Sequence, residues 1–169
     1  DRIYDDKLQY VLLTGRNLLE AISTSETSAL SHAIDRGVKV VYLDPRYTKT
    51  ASKATEWLPI RPGMDLAFHL ALLNVIISEN LYKSYFVEQN TVGFDELKKE
   101  VGRYTPEWAA PLTGIPAETI TRIAHEFAAA APHALAHNGW RTSNFINSFH
   151  TQRSISILNA LVGNWDVTM

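Results

Sequence analysis

The sequence predicts an α/β fold, a mainly parallel sheet doubly wound with helices on both faces, and three observations carry that prediction. Short apolar runs of strand length alternate with longer segments of helical period, and the runs end in glycine or Asp-Pro. A first strand, a helix and a second strand follow one another within about 30 residues, the span of one βαβ unit. At 169 residues the chain is long enough to bury a core without disulfide or metal staples, and it reads as a single domain over 1–169.

The first strand is the run Tyr-Val-Leu-Leu-Thr at 10–14, closed by Gly15. Ser23-Thr24-Ser25-Glu26 has the form of a capping box and opens a helix with Ala29, Ala33 and Ile34 on its inner face, ended by Gly37. Residues 38–43 give the second strand, stopped by Asp44-Pro45, and a polar loop over 45–52 leads to a short third strand at 55–58. Pro59 and Pro62-Gly63 break it. Asp65 then opens a helix to about Ser78, apolar around so much of its circumference that it must be packed on two sides. Shorter helices are expected over 80–88, 94–101 and 106–112, and a longer one from Pro116 to about Ala130 that buries Ile120, Ile123, Ala124 and Phe127. A last strand at 133–138 and a helix over 143–161, with Ile146, Phe149, Arg153, Ile157, Ala160 and Leu161 on one stripe, complete the pattern, which is Rossmann-like.

Composition removes several classes of function. A net charge of -2 with mixed signs gives no basic stripe for a phosphate backbone, so nucleic acid is not an expected partner. No cysteine is present, which excludes thiolate nucleophiles, disulfides and cysteine-held iron–sulfur clusters from this stretch. The segment at 1–8 has no apolar core of a signal peptide, and the longest apolar run, 66–77, is interrupted by His69 and Asn74, short of a membrane span. The sequence starts without Met and stops soon after a Gly-Asn-Trp-Asp turn, so it reads as an excised, soluble domain.

In a doubly wound sheet the ligand crevice lies beyond the carboxyl ends of the strands, and the candidate residues cluster there. Gly15, Arg16 and Asn17 follow the first strand: Gly permits backbone approach, Arg offers a fork to phosphate and Asn both donates and accepts. An ordinary βα turn would use the same residues. No second and third glycine follow Arg16, so this is not a dinucleotide loop and a nicotinamide cofactor is disfavoured. Asp44 stands where such domains place an acid against ribose, or it merely ends a strand with Pro45; Arg46 and Thr48 beyond it read as phosphate or ribose contacts or as solvated loop. Asp65, after Gly63-Met64, can accept from a guanine's N1–H and amino group, and it can equally cap the helix it opens. His133 and His137, four apart on a strand, lie about 13 Å apart and cannot share a metal. No residue here has the setting of a catalytic group.

Together the segments 15–17, 40–51 and 56–65, with Tyr104-Thr105-Pro106-Glu107, Thr113-Gly114-Ile115-Pro116 and Leu158-Asn159-Ala160-Leu161-Val162-Gly163-Asn164, resemble the central region of the dimethyl sulfoxide reductase family of molybdopterin enzymes. The resemblance implies a cofactor-binding domain of a larger catalytic subunit, a molybdenum-dependent oxidoreductase, gripping the guanosine end of molybdopterin guanine dinucleotide. It implies Asn17 at the phosphate or ribose, Asp44 at the ribose or guanine and Asp65 at the guanine edge, with Gly15, Arg16, Pro45, Arg46, Gly63 and Gly139 around them. Met64 departs from the family pattern, which carries Thr there. The metal ligand and a [4Fe-4S] cluster are expected elsewhere in the parent chain. Gly15-Arg16-Asn17-Leu18 and Asn138-Gly139-Trp140-Arg141-Thr142 are most similar to the polysulfide, thiosulfate and tetrathionate reductase group. That group implies an exported parent on the periplasmic side of the cytoplasmic membrane, with iron–sulfur and membrane-anchor subunits as partners. Formate, arsenate or nitrate-type relatives, and a nucleotide-free α/β interaction module, remain the alternatives.

Overall fold

A computed structural model describes residues 2–20, 23–139, 142 and 144–164 of the chain. Its four strands, β1 (Tyr10–Thr14), β2 (Lys39–Leu43), β3 (Glu56–Leu58) and β4 (Ala134–Asn138), form one sheet in the order β3-β2-β1-β4. Every pairing is parallel, with Tyr10 opposite both Lys39 and Ala134, and Val41 opposite Glu56. All five residues of β1 are buried, as expected of a central strand covered on both faces.

Alternation along the strands divides the interior in two. Tyr10, Leu12, Val41, Leu43 and Leu58 point into one core, packed by α3 (Asp65–Ser78), α7 (Ala117–Ala129) and α8 (Ser148–Leu161). Val11, Leu13, Val40 and Tyr42 point into the other, which α1 (Thr24–Asp35) closes with Ala29, Leu30 and Ala33. This is the doubly wound arrangement that the apolar runs predict. Eleven of the fourteen residues of α3 are buried, because α5 (Phe94–Val101), α6 (Pro106–Thr113), α7 and α8 surround it. Its internal Asn74 is accommodated by donating to Val101 O at 2.9 Å. Among the described residues no helix is long and apolar enough to cross a membrane.

Four expectations are corrected. The loop after Asp44 contains a short helix, α2 (Lys49–Lys53), capped by the Thr48 hydroxyl accepting from Ala51 N. The helix placed at 80–88 begins later, as α4 (Ser84–Asn90), after Asn80 takes a positive φ of 56° at the end of α3. At α1, Ser23 Oγ accepts from Glu26 N at 3.4 Å, but the Glu26 carboxylate turns away to Arg16 rather than completing the capping box.

The fourth concerns α8, which starts at Ser148; Ser143, where the sequence places its start, lies outside the described residues. Its inner face carries Thr151, Ser154, Ile155, Leu158, Asn159 and Leu161, while Ile146 and Phe149 of the expected stripe are exposed. The reason is β4, whose outer edge has no neighbouring strand among the described residues. Asn159 substitutes for one: its Oδ1 accepts from Ala136 N at 2.9 Å and its Nδ2 donates to Ala136 O at 2.8 Å. Asn164 Nδ2 extends the clamp to Ala134 O at 2.7 Å. Where that face meets the strand edge it must be polar, so Asn159 stands among the core residues Ile155, Leu158 and Leu161 and the hydrophobic period is blurred.

Candidate functional site

Strand order sets where a ligand can sit. From β1 the chain winds outward through β2 to β3, then returns through α3–α7 to place β4 on the other side of β1. The connections after β1 and β4 therefore diverge, leaving a gap above their carboxyl ends. At β1, Gly15 takes a φ of +60°, and β4 ends against it so closely that a Cβ on Gly139 would stand 2.2 Å from Gly15 O. Only glycine fits at 139.

Beside this junction is a recess of about 480 Å³ lined by Gly15, Asp44, Pro45, Arg46, Pro62, Gly63, Asp65, Thr142 and Phe145, a size typical of small-molecule sites. Six of the nine candidate residues thus meet at one place. Asp44 arrives from the end of β2 and Asp65 from the first turn of α3. Thr142 is held over Gly15 by donating to Gly139 O at 2.5 Å while accepting from Gln152 Nε2 of α8 at 2.6 Å. Sequence names neither Thr142 nor Phe145 as a site residue: Phe145 lies in what reads as the first turn of a helix and Thr142 just before it, in a stretch that enters only through the resemblance, and only the fold brings them to the crevice.

The two carboxylates differ in how they are satisfied. Asp44 is anchored: Tyr42 Oη donates to its Oδ2 at 2.8 Å, and Arg46 N and Nε reach its Oδ1 at 2.8 and 3.5 Å. A carboxylate has about four acceptor positions, so a ribose hydroxyl can still be accommodated. Burial, together with the Asp44 carboxylate, raises the Tyr42 phenol, which keeps it protonated as the donor. Asp65 is 8% exposed, and among the described residues no side chain donates to it; its own backbone N–H is its one favourable contact. Met64, not Asp65, occupies the N-cap position of α3, and makes no side-chain cap bond. Burial raises the Asp65 carboxyl above its ordinary range, and the negative charge of Asp44 raises it further. An acid in this state favours a ligand with N–H donors.

The remaining three candidates lie outside the recess. The Arg16 guanidinium, 11% exposed, pairs with Glu26 of α1 instead of projecting toward the crevice. Asn17 accepts from Thr50 Oγ1 at 2.8 Å and donates to Glu20, tying the β1–α1 turn to α2. It borders a second, shallower recess with Tyr47 and Lys49, and Arg46 forms the wall between the two. Gly139 packs under Gly15. Trp140 and Arg141 of the same loop lie outside the described residues.

One buried group bears on the site from below. His69, one turn along α3 from Asp65, is fully buried with Nε2 at 3.1 Å from Thr14 Oγ1, the residue before Gly15. Burial lowers its pKa to about 3, so the ring is neutral and joins the helix carrying Asp65 to the strand carrying Gly15. His137 is likewise lowered, first by burial and then by Arg16. Among the described residues no cluster of His, Cys, Asp or Glu could hold a metal.

Fold and site define an open, parallel α/β sheet with a ligand crevice at its switch point, walled by carboxylates. Residues 3–168 match the family model described as molybdopterin oxidoreductase. The chain belongs to that family. It is 44% identical over 156 residues to the thiosulfate reductase molybdopterin-containing subunit PhsA of Salmonella typhimurium, covering 92% of this chain and 21% of that protein. It is 34% identical to the dimethyl sulfoxide reductase DmsA of Haemophilus influenzae, over 94% of this chain and 22% of that one. The solved structure of acetylene hydratase from Pelobacter acetylenicus superimposes with a TM-score of 0.83 at 40% identity, covering 91% of this chain and 21% of that one. The chain thus spans about a fifth of the length of these relatives.

Proposed function

We propose that this chain is the part of a molybdopterin-dependent oxidoreductase that grips the guanosine end of molybdopterin guanine dinucleotide in the recess between Asp44 and Asp65. The observation that carries the reading is the buried Asp65 carboxylate, which lacks a side-chain donor among the described residues and lies beside a second acid. The guanine edge presents two adjacent donors, N1–H and the amino group, and would relieve that carboxylate; adenine has no such edge. The residues therefore fit the group that the family implies. Asp65 would read the base, and Asp44 the ribose, with its carboxylate held by Tyr42 and Arg46. Gly15, Gly63 and Gly139 would let backbone approach the ligand, and Arg46 would face its phosphates. Asn17 and Arg16 would act through the turn they brace. Bound elsewhere in the parent, the pterin end would supply the molybdenum that exchanges electrons with substrate.

For the whole protein we infer reduction of an inorganic sulfur compound, thiosulfate, polysulfide or tetrathionate, because PhsA is named a thiosulfate reductase. Relatives named as dimethyl sulfoxide reductases and acetylene hydratase keep other substrates in play. A [4Fe-4S] cluster, an iron–sulfur subunit, a membrane anchor and a periplasmic location belong to the same inference.

The test is nucleotide titration followed by amide spectra. GMP is expected to perturb residues 15, 44–46 and 63–65 and to bind more tightly than AMP, and Asp65→Ala to remove that preference. If neither nucleotide moves these amides at millimolar concentration, the reading is wrong.

A further inference from the structure

Recognition of a base needs an edge and a face, and the carboxylates supply only the edge. The face is available in Phe145. This residue lies between β4 and α8, in a turn closed by Ser148 N donating to its carbonyl at 3.0 Å. Its side chain lines the recess with Asp44 and Asp65, yet it is 45% exposed. One part of the ring rests on Gly63, where φ is +80° and where a Cβ would stand 3.4 Å from Phe145 Cδ1. Among the described residues no aromatic ring pairs with it, whereas Tyr47, Tyr82 and Phe149 each have an aromatic neighbour. The aromatic surface of a large side chain is thus presented to a recess whose other wall carries hydrogen-bond acceptors. Every base has a π-face, and stacking is the interaction such a ring adds.

We propose that Phe145 is a binding residue of this site, stacking on the purine whose edge Asp65 reads. The inference rests on the guanosine reading of the recess and divides its work: Phe145 holds any purine, and Asp65 selects guanine. Gly63 is part of the same device, since a side chain there would press on the ring.

The division of labour gives the experiment, which uses the 169-residue chain with GMP and AMP as probes. Proton spectra follow the nucleotide H8 resonance, which moves upfield when an aromatic ring stacks on the base. For Phe145→Leu, affinity for GMP and AMP is expected to fall by the same factor, about five- to a hundredfold, and the upfield shift to vanish. For Asp65→Ala, the shift is expected to persist while the preference for GMP is lost. Phe145→Trp keeps an aromatic face without reducing bulk, and is expected to bind at least as tightly with a larger shift. If Phe145→Leu and the wild type bind GMP equally with the same H8 position, while Asp65→Ala still loses the preference, stacking is overturned and the guanosine reading stands. If Leu disturbs the amide spectrum, a Trp variant that binds weakly and leaves H8 unshifted overturns it equally. A wild type that binds neither nucleotide overturns both.

Discussion

Asp65 is expensive where it stands. Its carboxyl titrates above the ordinary range because burial and Asp44 both disfavour the charge. Between the unfolded value and the raised one the folded chain binds more protons than the unfolded chain, so stability falls as pH rises through that window, and the deficit persists at neutral pH. Asp65→Asn is therefore expected to make the ligand-free chain more stable at pH 7 and to flatten that part of its pH dependence, while weakening guanine binding. Urea denaturation at several pH values measures it; a destabilised Asn variant would mean that the charge is satisfied after all. A binding group that costs stability is a common property of functional sites. Sequence could nominate Asp65 but could not separate ligand from cap, since both uses want an acid at a helix start. Arg16 illustrates the opposite ambiguity. Its fork suits a phosphate and a carboxylate alike, and Glu26, ten residues on, claims it.

Strands β1 and β2 are legible because a parallel strand covered on both faces is apolar at nearly every position; β4, which ends in His137 and Asn138, is marked more by its bounds at Pro132 and Gly139; α7 is legible because Ile120, Ile123, Ala124 and Phe127 repeat at helical spacing and are all buried. Helix α8 is only partly legible at its inner face, because Thr151, Ser154 and Asn159 stand there among Ile155, Leu158 and Leu161, and a face that answers to hydrogen bonds as well as to apolar area has no clean hydrophobic period. The sequence reads the Leu158–Asn164 segment as the end of a helix, the start of a turn and part of a resemblance, none of which gives its two asparagines their use; they satisfy the open edge of β4. Asn159→Leu would leave Ala136 N–H and C=O unpaired in a buried setting. A cost of about 3 kcal/mol is expected, counting one to two unsatisfied groups. It should show as a lower urea midpoint at unchanged slope. A change under about 0.5 kcal/mol, the level of an ordinary surface substitution, would mean that the clamp contributes nothing. Because Gly139 and Thr142 follow β4 directly, the same variant should also loosen the wall of the recess.

At the scale of the whole molecule the recess joins segments far apart in sequence: the end of β1, the end of β2, the turn before α3 and the loop after β4. Sequence gives each segment, but their meeting depends on β4 pairing with β1 across two other strands and seven intervening helices, a choice that no local pattern encodes. A ligand in such a place binds the folded chain and finds no equivalent in the unfolded one, so it must stabilise the whole fold by mass action. At ten times its dissociation constant GMP contributes about 1.4 kcal/mol, and a domain of this size should then melt about 3 to 6 °C higher. AMP at the same concentration should move the transition less, and in Asp65→Ala the two nucleotides should become equivalent. Differential scanning calorimetry reads all four combinations. Equal shifts for GMP and AMP in the wild type would show that the crevice does not read the guanine edge, whatever else it holds.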